Sequence, residues 1–128
     1  MTKKFEVYKC AICGNVVEVF HEGVGTLVCC GQPMNLQKEN SIKDEKTQEK
    51  HVPVITKNSE GVQINVGSIP HPMEKSHYIE WIEVSTEKGE SKKFLQPEKD
   101  KPEVKFPVKN PKVKTRAYCN LHGLWKGK

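Results

Sequence analysis

Residues 112–125, KVKTRAYCNLHGLW, combine the alternation of a β-strand with a cysteine and a histidine three positions apart. Val113, Thr115, Ala117 and Cys119 share one face of the strand, and the basic residues between them take the other. The alternation therefore carries Cys119 inward where the strand ends. The other four cysteines lie far upstream, which leaves three roles open for this thiol: inert and buried, nucleophilic, or metal-binding.

The same β pattern extends over residues 51–128. Val62, Ile64 and Val66 alternate with polar residues, and further short apolar stretches follow, separated by turns and prolines. No stretch keeps the 3.6-residue period of a helix, so the pattern predicts an antiparallel β-sandwich. The almost wholly polar stretch 38–50 predicts a linker with room for a helical turn.

Residues 1–37 hold two cysteine pairs. Cys10 and Cys13 lie in CAICGN, Cys29 and Cys30 lie in CCGQPM, and a β-hairpin with a glycine turn is predicted between the pairs. Tetrahedral coordination by four cysteines suits zinc or iron, and the spacing does not choose between them. A segment this small also needs such a staple to fold. Adjacent cysteines reach one metal only if the backbone bends.

The composition limits the classes of function. The chain has 128 residues and a net charge of +5, but its lysines are scattered and Arg116 is its only arginine, which disfavours nucleic-acid binding. No apolar run has the length of a signal peptide or a membrane span, so a cytoplasmic protein is expected. In a reducing cytoplasm, five cysteines are expected to bind metal rather than to form disulfides.

Four histidines of the β region are predicted at strand ends or in loops, where they can converge at one pole of the sandwich: His51, His71, His77 and His122. Prolines on both sides of His71 restrict its backbone. With Cys119 they make five nitrogen and sulfur ligands, more than zinc or blue copper uses. An iron that prefers six ligands would keep one position open. His21 is expected to be an exposed turn residue without a role.

Five motifs in order span nearly the whole chain: YKCAICGNVVEV (8–19), LVCCGQPM (27–34), EKHVPVI (49–55), VGSIPHPMEKSHYIEWIE (66–83) and YCNLHGLWK (118–126). In these motifs the sequence resembles the desulfoferrodoxin family, the two-iron class of superoxide reductase. The resemblance implies three segments: a desulforedoxin-like iron domain (1–37), the linker (38–50) and an immunoglobulin-like β-sandwich (51–128).

The resemblance also implies two iron centres. The first is a four-cysteine iron held by Cys10, Cys13, Cys29 and Cys30. The second is a His4Cys iron with an open sixth position, four equatorial histidines and an axial cysteine: His51, His71, His77, His122 and Cys119. Backbone N–H groups of Leu121 or His122 are expected to hydrogen-bond the axial sulfur and to moderate its electron donation.

The implied activity is the reduction of superoxide to hydrogen peroxide, with an external donor such as rubredoxin restoring the ferrous iron. The family's mobile Glu-Lys pair matches Glu49 and Lys50. Lys50 is expected to attract the anion and to organise water for proton delivery, and Glu49 to move onto the oxidised iron. A homodimer is implied, and the four-cysteine centre either relays electrons or is structural.

Two other classes of function stay open on the residues alone. A simple electron carrier would use iron without needing a vacant ligand position. A zinc-ribbon module would use the four-cysteine site to hold a surface that binds nucleic acid through the positive charge. Neither alternative is an enzyme.

Overall fold

The computed structural model of the chain describes residues 1–41 and 48–127, without the side chains of residues 48 and 49. The chain divides into two compact units, Met1–Lys38 (unit 1) and Glu39–Lys128 (unit 2). The prediction of an all-β chain is confirmed, since the one helix among the described residues is a single turn. None of the described helices is long and apolar enough to cross a membrane.

Unit 1 consists of five short strands: β1 (Val7–Lys9), β2 (Val16–Glu18), β3 (Val28–Cys29), β4 (Gln32–Pro33) and β5 (Asn35–Leu36). They form a three-stranded sheet in the order β2-β1-β5 and a separate β3-β4 hairpin. The predicted hairpin between the cysteine pairs is therefore wrong in its pairing, because β2 pairs with β1 and β3 with β4.

The physical reason is the position of the tight turns. Gly14 at φ +86° closes the turn between β1 and β2, and Gly31 at φ +73° closes the turn between β3 and β4. The glycine turn that was expected to connect β2 and β3 contacts the N-terminus instead, since the Gly23 carbonyl accepts a hydrogen bond from the Thr2 N–H at 2.9 Å. Each cysteine pair consequently lies at the tip of its own hairpin.

The described residues of unit 2 form α1 (Gln48–His51) and then seven strands: β6 (Pro53–Asn58), β7 (Gly61–Val66), β8 (Ile79–Thr86), β9 (Gly89–Phe94), β10 (Glu103–Phe106), β11 (Lys114–Cys119) and β12 (Gly123–Lys126). The sheets β10-β7-β6 and β12-β11-β8-β9 are antiparallel throughout and form the predicted sandwich. The sequence did not indicate β12, which is only four residues long.

The core of unit 2 lies between the two sheets. Val62, Ile64 and Val66 of β7 are buried, as their alternation predicts, and they share one cluster with Ala117 and Cys119 of β11. The cysteine is fully buried at 0% exposure, rather than at a rim. The inward face of β11 therefore delivers its thiol to the end of the core.

A β-bulge in β8 adjusts the strand beside that thiol. Tyr118 pairs with Trp81, but Cys119 pairs with Ile79, so Glu80 is an extra residue on β8. A bulge bends its strand and re-aims the side chains on either side of it. Ile79 therefore faces the core although it is three residues before Ile82, the next residue of β8 in the core cluster.

Six of the thirteen residues of the predicted linker, 42–47, lie outside the described residues. Asn40 is nevertheless bound to the last strand, since its N–H donates to the Leu124 carbonyl at 2.9 Å and its carbonyl accepts from the Lys126 N–H at 2.9 Å. The short helix α1 then places His51 two residues before β6.

Candidate metal centres

The four thiols of unit 1 form one cluster, with sulfur atoms within 4.8 Å of one another: Cys10, Cys13, Cys29 and Cys30. The Sγ atoms of Cys13 and Cys29 are 3.6 Å apart, and those of Cys29 and Cys30 are 4.0 Å apart. A tetrahedral ion with metal–sulfur bonds of about 2.3 Å requires sulfur–sulfur edges of roughly 3.8 Å. The cluster therefore fits a tetrahedral metal.

Backbone geometry brings the adjacent cysteines to the same point. Cys30 has φ +54°, a left-handed conformation that is rare for a residue with a side chain. This supplies the bend that two consecutive cysteines require. In the first hairpin, the Gly14 N–H donates to the Cys10 carbonyl at 3.0 Å, and the Cys13 N–H points at the Cys10 sulfur at 3.5 Å.

The acidities of these thiols show why the cluster favours a cation. Hydrogen bonds from the backbone N–H groups of Cys13 and Ile12 lower the pKa of Cys10 to about 6. Hydrogen bonds with the thiols of Cys13 and Cys10 raise the pKa of Cys30 to about 12, and the pKa of Cys29 is raised for the same reason. One thiolate thus hinders ionisation of the next, and a bound metal cation removes that obstacle.

Unit 2 gathers four imidazole rings into a square: His51, His71, His77 and His122. Neighbouring ring centroids around the square are 4.6, 4.7, 5.1 and 4.8 Å apart, and the diagonal between His51 and His77 is 6.3 Å. Each ring is turned by 67–83° from its neighbours. This is a propeller arrangement whose blades can all point a nitrogen at one central ion.

The donor atoms fit such an ion. The Nε2 atoms of His51 and His71 are 3.1 Å apart, which matches the roughly 3 Å between right-angle neighbours at metal–nitrogen bonds of about 2.1 Å. Donor atoms of His51, His77, His122 and Cys119 lie within 4.8 Å of one another, and His71 joins this set through His51. The Nε2 atom of His77 is buried and has no hydrogen-bond partner among the described residues, an arrangement that a metal bond would satisfy.

The thiol of Cys119 lies beside the square, with its sulfur 3.7 Å from Nδ1 of His122. Burial raises the pKa of Cys119, and hydrogen bonds from the backbone N–H groups of His122 and Leu121 oppose that rise. The expected donors to the sulfur are therefore present. Because burial disfavours a bare thiolate, this cysteine ionises most readily when a cation sits next to it.

Neighbouring residues hold two of the rings in place. Nδ1 of His71 lies 2.7 Å from the Pro72 carbonyl, which orients the ring so that Nε2 faces the centre. Trp125 stacks on His51 at 4.8 Å and donates its indole N–H to the His122 carbonyl at 3.0 Å. No signal in the sequence indicates this role of Trp125, since nothing in its spacing distinguishes it from an ordinary core residue.

The two sides of the square differ in exposure. Cys119, His51 and His71 are buried, whereas His77 is half-buried and His122 is exposed. Lys50 is exposed, and its charge is one cause of the lowered pKa of His77, after burial and the charge of His122. The positive charge of Lys50 therefore acts on the half-buried member of the cluster.

Two other residues considered in the sequence are Glu49 and His21. The side chain of Glu49 is outside the described part of the structure, although its backbone belongs to α1. His21 is exposed in unit 1 and belongs to neither cluster, as expected.

Comparison with known proteins agrees with both clusters. The family model for desulfoferrodoxin matches residues 43–128, and the model for the desulfoferrodoxin N-terminal domain matches residues 2–37. Desulfoferrodoxins of Syntrophotalea carbinolica and of Nitratidesulfovibrio vulgaris are each 54% identical, over 98% of this chain and 97% and 98% of theirs.

Comparison with solved structures gives the same result. The superoxide reductase of Treponema pallidum has a TM-score of 0.77 and 27% identity, with all of both chains covered. The chain provides a four-cysteine site and a His4Cys site, which are consistent with the iron centres of desulfoferrodoxins. Matched in both units and over nearly its full length, the chain belongs to the desulfoferrodoxin family.

Proposed function

We propose that the protein is a superoxide reductase, which converts superoxide into hydrogen peroxide with one electron and two protons. The observation that carries the proposal is the His4Cys cluster, a square of imidazoles beside a buried thiol. Five such donors leave one position of a six-coordinate iron free for a small anion. The full-length likeness to a superoxide reductase supports the same function.

The ligands of this iron are, in our proposal, the four clustered histidines and Cys119. A ferrous ion held there would supply the electron for superoxide. The imidazoles are neutral when they bind, so positive charge remains at the site and favours an anionic substrate. The backbone N–H groups of Leu121 and His122 withdraw charge from the sulfur and so moderate its donation.

Lys50 is proposed to attract superoxide and to organise water for protonation. It is exposed, it immediately precedes His51, and its positive charge is one cause of the lowered pKa of His77. A fixed positive charge near an open metal site raises the local concentration of a small anion. An ammonium also offers three donors with which to hold water near the site.

Glu49 is proposed to offer a carboxylate oxygen that the oxidised ion would bind. A carboxylate oxygen is a harder ligand than imidazole or thiolate and suits ferric iron better than ferrous iron. Its place in the single turn α1, two residues before His51, keeps the backbone close to the cluster.

An external one-electron donor is required, because superoxide reduction consumes an electron in each turnover. We propose that this donor is a small redox protein of the rubredoxin type.

The four-cysteine iron is proposed to stabilise the fold of unit 1, in which only three of the described residues are buried and apolar: Val7, Cys10 and Val19. Five free thiols and two thiolate-containing centres suit a reducing compartment such as the cytoplasm.

We also propose that the chain forms a homodimer through unit 1. This unit exposes large apolar side chains around a cleft of about 650 Å³, among them Val17, Phe20 and Val28. Clustered exposed apolar residues on so small a unit indicate an interface. A second copy of the chain is the occupant that the family resemblance favours.

The proposed activity is tested by generating superoxide in a pulse next to the fully reduced, iron-loaded protein. We expect rapid oxidation of the His4Cys iron and one hydrogen peroxide for each superoxide, without release of dioxygen. Half a peroxide per superoxide, together with dioxygen, would mean dismutation instead.

A second measurement separates an enzyme from an electron carrier. Azide and cyanide bind an open position, so we expect both to change the absorption spectrum of the ferric protein. An unchanged spectrum would exclude the vacant coordination site and with it the proposed reaction. Metal analysis should also find two irons per chain, one for each cluster.

A further inference from the structure

His77 lies in a short loop segment that is too small to hold the histidine in a fixed position without other contacts. Glu74 and His77 form an isolated bridge, with hydrogen bonds of 3.0 and 3.1 Å between their backbone groups, outside any sheet. So small a hairpin is marginally stable in water. Within the part of the chain that the structure describes, the ring of His77 also makes no hydrogen bond at its buried Nε2 atom, so its orientation depends on where the backbone is held.

Asn120 holds that backbone on both sides of the histidine. The Tyr78 N–H donates to Oδ1 of Asn120 at 2.9 Å, and Nδ2 of Asn120 donates to the Ser76 carbonyl at 3.0 Å. The Asn120 N–H also donates to the Tyr78 carbonyl at 3.2 Å. Three hydrogen bonds from one residue therefore bracket the position of His77.

The same residue belongs to the other ligand-bearing loop. Asn120 directly follows Cys119, and His122 comes two positions later. One side chain thus ties the segment that carries His77 to the segment that carries the thiol and a third ligand. These two segments are 42 to 44 residues apart in sequence, so the link is tertiary.

Resting on the function proposed above and deepening it, we propose that Asn120 is a positioning residue that sets the place of His77 relative to the Cys119 sulfur. The angle between these two donor atoms would determine the ligand field of a bound metal ion. Residues that hold metal ligands in place influence both the metal affinity and the reduction potential of the site. Asn120 acts through the backbone on either side of His77.

The chemistry of the side chain explains why asparagine is present. The Tyr78 N–H needs an acceptor and the Ser76 carbonyl needs a donor, and a carboxamide offers both from one planar group. Aspartate keeps the acceptor but places a negative oxygen against the Ser76 carbonyl. Alanine keeps only the backbone hydrogen bond.

The experiment compares Asn120→Ala, Asn120→Asp and a control with the full-length protein. Asn110→Ala is the matched control, because Asn110 also bonds the backbone of unit 2, accepting from the Lys112 N–H at 2.9 Å, before β11 and at the other end of that strand from Cys119. Ferrous-ion affinity, the thiolate-to-iron charge-transfer band and the reduction potential of the His4Cys centre are measured.

We expect Asn120→Ala to bind iron about 10- to 100-fold more weakly at this centre and to shift both the band and the potential. Asn120→Asp should lie between the alanine variant and the wild type, and Asn110→Ala should match the wild type. If the alanine variant does not fold, the aspartate variant carries the same readouts.

Wild-type affinity, band and potential in both Asn120 variants would overturn the proposal. A fall in the thermal stability of the metal-free protein with an unmoved band would also overturn it, since that result describes a purely structural residue. None of these readouts uses superoxide. Failure of the proposed activity would therefore be seen separately, in the wild-type protein.

Discussion

At the scale of single residues, Lys50 gives the most direct prediction. Replacing it with alanine removes a positive charge that acts on the half-buried member of the histidine cluster, while the cluster itself is retained. We expect the second-order rate constant with superoxide to fall about tenfold and to lose much of its dependence on ionic strength. Pulse radiolysis over a range of salt concentrations measures both effects.

The control for that variant is Lys88→Ala. Lys88 is exposed in the turn between β8 and β9, at the end of β8 opposite Ile79, and the substitution changes the net charge equally. It should keep the wild-type rate. Equal rates in the two variants would show that total charge, and not the placement of Lys50, attracts the substrate.

The ferric protein gives a second residue-scale prediction. If Glu49 supplies an oxygen ligand to the oxidised iron, Glu49→Ala should shift the ferric absorption band and remove its dependence on pH. Glu49→Gln, which keeps size but offers a weaker neutral oxygen, should lie closer to alanine than to the wild type. A ferric spectrum identical to wild type across the pH range would contradict the role.

A third prediction follows from the acidity of His71. Burial above all, opposed by the hydrogen bond to Pro72, lowers the pKa of His71 to about 4. The unfolded chain binds this proton near pH 6.5 but the folded, metal-free chain only near pH 4, so the unfolded state holds more protons between these values. Stability of the metal-free protein should therefore fall as pH decreases from about 6.5 to about 4, and this group adds no further loss below that.

Thermal unfolding in the presence of a chelator, from about pH 7.5 to about pH 4, measures this slope. His71→Gln should reduce the dependence of stability on pH. Part of that dependence should remain, because burial also lowers the pKa of His77. Replacement of His21, which is exposed and outside the cluster, serves as the control. A slope unaltered in His71→Gln would be inconsistent with a buried neutral imidazole.

Single residues also show how far the sequence could predict the site. Period-two alternation correctly placed Cys119 inside, and the need for a bend between adjacent cysteines agrees with the left-handed Cys30. Trp125 and Asn120 could not be found in this way. Their roles consist of contacts with segments distant in sequence, and neither spacing nor residue type encodes such contacts.

At the scale of elements, two glycines that begin strands differ in the space around them, and this difference can be tested. Gly61 and Gly89 have nearly the same backbone conformation, with φ +143° and +142°. A methyl group on Gly61 would overlap the Phe106 carbonyl and approach Pro107 Cα, whereas one on Gly89 would meet nothing within 4 Å. Comparing alanine substitutions at these two glycines therefore separates the cost of backbone strain from the cost of a steric clash between β10 and β7.

We expect Gly89→Ala to cost about 1–3 kcal/mol from its φ angle alone. Gly61→Ala should cost clearly more, because the atoms it meets belong to the backbone and cannot rotate away. Each kcal/mol lowers Tm by about 4–8 °C in a domain of this size. Differential scanning calorimetry of the two variants would show equal shifts if the packing of β10 on β7 imposed no constraint.

Elements also show why strand pairing was harder to predict than strand existence. The alternation of β7 and β11 was visible, but the bulge at Glu80 was not, since Ile79 and Ile82 are three residues apart and fit no simple β period. In unit 1 the tight turns at Gly14 and Gly31 decide the pairing. Glycine identity alone did not reveal which glycines adopt positive φ.

At the scale of the whole molecule, the small core of unit 1 bears on both the proposed metal and the proposed dimer. Its few buried apolar residues cannot stabilise so short a chain, and the cluster of four thiols supplies one compensation. Burial of exposed apolar surface against a second copy would supply another. Metal binding and the proposed dimerisation would therefore both compensate for the same small core.

The dimer can be tested with a matched pair of phenylalanines. Phe20 in unit 1 is 71% exposed and lines the apolar cleft, and Phe94 in unit 2 is 72% exposed. Sedimentation equilibrium of the wild type should give twice the 14.6-kDa chain mass. Phe20→Lys should shift the mass towards that of one chain, since a charge in an apolar interface is strongly unfavourable.

Phe94→Lys should leave the dimer intact, because nearly equal exposure and an equal charge change act there outside the proposed interface. Dissociation by both variants would point to a general effect of added charge, and dissociation by Phe94→Lys alone would move the interface to unit 2. Because burial and metal binding stabilise the same unit, removal of the metal from the four-cysteine site should also weaken the wild-type dimer, and the sedimentation experiment repeated with chelator measures that coupling.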